Sequence, residues 1–156
     1  MSDFCVEHES QPYFICTNII DFDFVKVHHW LSNAYWSEGI PMETVVKGFT
    51  NALAFGLFHK EKGQVGCARM ITDKATFAYL ADVYIDASER GSGLGYWLME
   101  VIMAHPELQG LRRIMLATAD MHPLYRKFGF NEPAKPDRLM EKLSPDIYKI
   151  LYGDTA

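Results

Sequence analysis

The chain has 156 residues, 49% of them apolar and 22% charged, and 15 basic against 20 acidic side chains give a formal net charge of −5. One domain spanning residues 1–156 is the expectation at this length, and the apolar content excludes intrinsic disorder because burial offsets the entropy of ordering the chain. The acidic balance, with no basic stripe, argues against a nucleic-acid partner.

Residues 13–17 are aromatic and β-branched, which predicts a first strand. Phe24, Val27, Leu31 and Ala34 then repeat at helical spacing, with Asp21 or Asp23 as the cap. Pro41 suits a first helical position, and Met42, Val45, Val46, Phe49 and Leu53 form the apolar face of a second helix. Residues 54–59 and 65–72 read as a hairpin around Glu61-Lys62-Gly63-Gln64. A longer apolar strand follows over residues 76–85. Leu94, Trp97, Leu98, Val101 and Ile102 mark an amphipathic helix that stops near His105-Pro106. Residues 113–118 predict another strand, and residues 123–128 a short helix closed by Gly129. Pro133 and Pro136 mark a loop, and one or two edge strands are expected after Leu139. The order β, α, α, β, β, β, α, β, α, β implies a mixed, mostly antiparallel α/β sheet with one strand–helix–strand crossover.

The cysteines, Cys5, Cys16 and Cys67, are odd in number and form no C-x-x-C pair, which argues against a disulfide framework and a thiolate zinc site. His28 and His29 have no partners at ligand spacing, so no metal is expected. The first ten residues carry no basic segment and apolar run of the kind that marks a leader, and the longest apolar run, residues 52–58, is short for a membrane span. A soluble, reduced, cytoplasmic chain without membrane contact is the expectation.

The densest chemical signal lies at residues 81–98. An apolar strand enters a turn with three glycines, Gly91, Gly93 and Gly95, and leaves it as an amphipathic helix. Glycines leave backbone N–H groups open to one concavity, and the helix start adds unpaired donors and about half a positive charge. A phosphate or diphosphate is the natural guest there. A dinucleotide fingerprint fails because Tyr96 stands where its third glycine belongs, and a P-loop fails because no lysine follows. The spacing present is Arg90-x-x-Gly93-x-Gly95.

Arg90-Gly91-Ser92-Gly93-Leu94-Gly95 resembles the (Q/R)-x-x-G-x-(G/A) signature of the GNAT N-acetyltransferase superfamily. Val83-x-Ile85-x-Ala87-x-x-Arg90 resembles its strand lead-in, with Ala87 in place of proline, and Leu124-Tyr125-Arg126-Lys127-Phe128-Gly129-Phe130 resembles its L-Y-x-K-x-G-F element about thirty residues on. The resemblance implies the GNAT fold, acetyl-CoA as acyl donor, and transfer to a primary amine of a small molecule or peptide. It places the diphosphate on the amides of Arg90, Gly91, Ser92, Gly93, Leu94 and Gly95, beside Tyr96. It pairs the pantetheine arm with the backbone of Val83, Tyr84 and Ile85, where an N–H also suits the thioester oxygen.

Tyr125 matches the family's general acid. Asp82, Asp120 and His122 are candidates for the general base, an imidazole being suited by its near-neutral titration, and each of the three has an equal claim to a structural role. Thr118 stands where the family often has an asparagine. Tyr35, Trp36 and Tyr79 are candidates to line the acceptor pocket, with Asp120 at its mouth and Glu38 able to hold an ammonium group. A homodimer is one expectation for the assembly. The competing functions are a CoA-binding sensor without turnover and a thioesterase-like hydrolase, the latter without a G-x-S-x-G nucleophile in the chain.

Overall fold

The computed structural model describes residues 4–152. Six strands form one sheet in sequence order: β1 (Cys5–Glu7), β2 (Tyr13–Cys16), β3 (Leu53–His59), β4 (Gly63–Thr72), β5 (Phe77–Ile85) and β6 (Arg113–Leu116). All neighbours run antiparallel except β5 and β6. That pair is parallel because the chain returns through α3 (Leu94–Met103), a crossover too long for a hairpin. The other helices are α1 (Phe24–Ser32), α2 (Met42–Thr50), α4 (His122–Arg126) and α5 (Ile147–Tyr152).

Both faces of the sheet are covered. Phe55, Leu57, Ala68, Met70, Ala78 and Leu80 pack against Leu94, Leu98, Met99 and Ile102 of α3 on one side. Ala54, Phe58 and Cys67 meet Val27, Trp30, Leu31, Val45 and Phe49 of α1 and α2 on the other. β3 and β4 therefore read as nearly continuous apolar runs. Of the two candidate caps for α1, Asp23 serves, accepting from the Lys26 N–H. Leu53, expected on the second helix, opens β3 instead, since α2 ends at Thr50.

Three expectations are corrected. β1 precedes the strand read as first; at three residues it is too short to show a period. Its register sets Cys5 opposite Cys16, and the two form a disulfide. Counting cysteines missed this bond because cross-strand pairing creates the contact, while Cys67 remains free and buried. No strand follows β6 among the described residues. Residues 131–146 are exposed, and the chain then enters α5, where Ser144 followed by Pro145 is a helix-start signal outweighing the weak apolar pattern. Among the described residues no helix is long and apolar enough to cross a membrane.

Candidate active site

The site forms where β5 and β6 part. Their pairing ends at Leu80 and Leu116, yet β5 continues to Ile85, so its outer edge from Ala81 onward has no strand beside it. Val83, Tyr84 and Ile85 lie on this free stretch. A bulge accompanies the parting: Cys67 pairs with Tyr84, but Arg69 already pairs with Ala81. Asp82 absorbs the extra length at φ 54°, left-handed backbone that aspartate tolerates better than most residues.

The Asp82 side chain is fixed from two directions. Arg69 Nε donates to Oδ2 at 2.6 Å, and Trp36 Nε1 donates to Oδ1 at 2.9 Å. Tyr35, next to Trp36 in the α1–α2 loop, accepts the Ala119 N–H on its hydroxyl at 3.2 Å. These two aromatics thus tie that loop to β5 and to the β6–α4 loop, across the opening between the strands. Arg69 had no sequence signal, since thirteen residues separate it from Asp82 and only the β4–β5 register brings them together.

Tyr125 is 8% exposed on α4 and lines a cavity of about 720 Å³ with His122, Arg126, β6 and the loop beyond Phe130. Burial pushes its phenol above the usual value, and the neighbouring Tyr35 adds to the rise. His122 opens the same helix three residues earlier, exposed to solvent, so the two side chains share one helical face. Asp120 is exposed in the preceding loop. Tyr79 is half-buried on β5 opposite Met115, one position before the strands part.

The glycine turn stands at the far end of β5. Gly91 and Gly93 have φ of 96° and 82°, and a Cβ on either would meet no atom within 4 Å. Gly93 is the N-cap of α3 and supplies no side-chain acceptor, so no side chain caps the first-turn N–H groups of the helix. Arg90 lies along the turn, its Nε donating to the Ile85 carbonyl at 2.8 Å and its guanidinium 5.2 Å from the Tyr84 ring centre. Tyr84 stacks in turn on Trp30 at 5.5 Å. Tyr96 is exposed beside the turn, against Phe128 at 4.8 Å.

Two carboxylates hold the turn from behind. Asp86 accepts from Ser88 and from Trp30 Nε1 and is lowered chiefly by the Ser88 backbone bond. Glu89, buried, accepts from Tyr13 and Lys62. Glu89 escaped the sequence reading because Lys62 lies 27 residues away and Tyr13 76 residues away.

The family profile described as "Acetyltransferase (GNAT) domain" matches residues 53–132. A crystal structure from Xanthomonas campestris pv. campestris, described as a candidate acetyltransferase of the GNAT family, is 42% identical with a TM-score of 0.85, covering 89% of this chain and 99% of the other. A candidate acetyltransferase of Gibberella zeae is 34% identical over 113 residues, 60% of this chain and 63% of its own length, so the chain spans under two thirds of that curated relative. A predicted acetyltransferase of Clostridium acetobutylicum, solved with acetyl-CoA, shares the fold at 14% identity and a TM-score of 0.62, over 84% of this chain and 94% of its own. The protein belongs to the GNAT acetyltransferase family. Its sheet, with the single parallel step and the helix-forming glycine turn, is the mixed α/β architecture of that family.

Proposed function

We propose that the protein transfers an acetyl group from acetyl-CoA to a primary amine of a small molecule or peptide. The observation that carries this reading is the open, uncapped glycine turn at the N-terminus of α3, set at the end of a strand whose edge is free. The donor fits this turn: left-handed glycines with empty space at their Cβ positions let a diphosphate approach the amides of residues 91–95, the Arg90 N–H being taken by the Ala87 carbonyl. The free edge at Val83, Tyr84 and Ile85 gives the pantetheine amides a strand to pair with.

In the transfer, the amine nitrogen bonds to the thioester carbonyl carbon as the carbon–sulfur bond breaks. Tyr125 Oη gives its proton to the departing sulfur. Free phenol and thiol values make that step uphill by ~2 kcal/mol, and burial of Tyr125 adds to the slope. The proton therefore moves only as sulfur takes up negative charge beside it. His122, exposed on the same helical face, accepts the proton of the incoming ammonium directly or through water, and the proton left on the acylated nitrogen returns the Tyr125 phenolate to phenol. Both carboxylate oxygens of Asp82 are committed to Arg69 and Trp36, so its role is to hold the bulge and the aromatic loop in place rather than to act as base. Tyr35, Trp36 and Tyr79 border the acceptor, and Asp120 faces it from the β6–α4 loop.

The test is thiol release from acetyl-CoA with a panel of primary amines, for the native chain and Tyr125→Phe. Amine-dependent release that drops about a hundredfold in the variant, with CoA affinity unchanged, is the expected result. CoA binding without release for any amine would make the protein a sensor, and release at full rate without amine would make it a hydrolase.

A further inference from the structure

The glycine turn has little packing of its own. Beyond Gly91 and Gly93, which touch nothing at their Cβ positions, its carbonyl at Ser92 is held by Gln11 Nε2 at 3.3 Å. Its shape is therefore set at its two ends. One end is α3, whose first helical bond runs from the Trp97 N–H to the Gly93 carbonyl. The other is Glu89, the last residue of a 3-10 turn over Ala87–Glu89 and the immediate neighbour of Arg90.

Glu89 has a side chain only 4% exposed. Its Oε1 accepts from Tyr13 Oη at 3.0 Å and from Lys62 Nζ at 3.2 Å, and its Oε2 from Lys62 Nζ at 3.1 Å. Tyr13 stands on β2, edge-on to His59, and Lys62 reaches in from the β3–β4 turn. The turn is thus pinned to two elements that share no local sequence with it. A buried carboxylate costs several kcal/mol unless paired, and an apolar side chain would fill the same space without that cost. Three charge-assisted bonds fix direction as well as distance, which an apolar contact does not.

We propose that Glu89 is a positioning residue for donor binding: its buried bonds to Tyr13 and Lys62 hold the start of the glycine turn so that the amides of residues 91–95 converge on the diphosphate of acetyl-CoA. Lys62 also neutralises the carboxylate, which would otherwise repel that diphosphate from behind. The inference rests on the acetyl-CoA reading above and concerns only the diphosphate half of the donor.

The experiment compares acetyl-CoA with S-acetylpantetheine, which lacks the diphosphate and adenosine, in the native chain, Glu89→Gln and Lys62→Met. The expected result for both variants is a KM for acetyl-CoA raised at least fivefold, with kcat at saturation and kcat/KM for S-acetylpantetheine within twofold of native. An unchanged acetyl-CoA KM overturns the proposal, and so does an equal loss on both donors, which marks a general structural role. Lys62→Met alters a half-exposed side chain and keeps the comparison available should Glu89→Gln fail to fold. Calorimetry with CoA against pantetheine repeats the comparison without turnover, so a native chain that binds CoA but transfers nothing overturns the transfer reading alone. A native chain that binds neither overturns both.

Discussion

A phenol that is 8% exposed keeps its proton well into alkaline solution, and Tyr125 does so beside a second phenol, Tyr35. Tyr125 therefore stays protonated across the neutral range, and under the proposed mechanism the hundredfold loss expected of Tyr125→Phe is a loss of kcat rather than of donor affinity. A different residue, Asp73, is expected to contribute to the pH dependence of stability at the acid end. Its carboxylate accepts the Thr76 hydroxyl at 2.6 Å and the N–H groups of Ala75, Thr76 and Phe77 at 2.8 to 3.1 Å in the β4–β5 turn. The Thr76 hydroxyl bond is the largest of several that hold this carboxyl far below the usual range. A depressed folded-state value means the contribution is complete above the unfolded pKa of ~3.9 and is lost as pH falls through the folded one. Asp73→Ala should therefore melt below the native chain at pH 6, and the gap should close on acidification below pH ~4. Thermal melts from pH 6 to pH 2 measure it, and a gap that stays constant would show that the turn's ionised carboxylate is not its source.

At the scale of elements, α3 and the turn before it form the proposed donor site, and Gly93 is where the proposal separates stability from binding. An alanine there would sit at φ 82°, costing about 1–2 kcal/mol, but its methyl would strike no protein atom within 4 Å. On the proposed reading the same methyl would occupy space needed by the diphosphate. Gly93→Ala should lower the melting temperature by only a few degrees while raising the Kd for CoA at least tenfold, read by calorimetry. A variant that loses stability but keeps its affinity for CoA would remove the diphosphate from this turn. The α1–α2 loop is the second working element: Tyr35 and Trp36 close it over the site by bonds to Ala119 and Asp82. Their aromatic character was visible in the sequence, but the partners, 84 and 46 residues away, were not.

For the whole molecule, the disulfide joins the edge strand β1 to the sheet. Cys5 and Cys16 enclose a separation of 11 residues, which corresponds to ~3 kcal/mol of unfolded-state restriction. Cys16→Ala, or reduction of the native chain, should lower the melting temperature by several degrees, measured by calorimetric scans with and without reductant. An unchanged midpoint would mean that β1 frays independently of the cooperative unit.

The sequence by itself determined the two helices before β3, the hairpin, the crossover unit and the glycine turn that opens α3. Each is a local matter of apolar period, turn residues and glycine spacing within some twenty positions. Only the tertiary structure decided which carboxylate is committed to an ion pair, which acid anchors the glycine turn and which cysteines join. Those outcomes depend on strand register and on contacts between residues far apart in the chain. No local pattern records them, because the physical term that selects them is the burial and pairing of polar groups that meet only after folding.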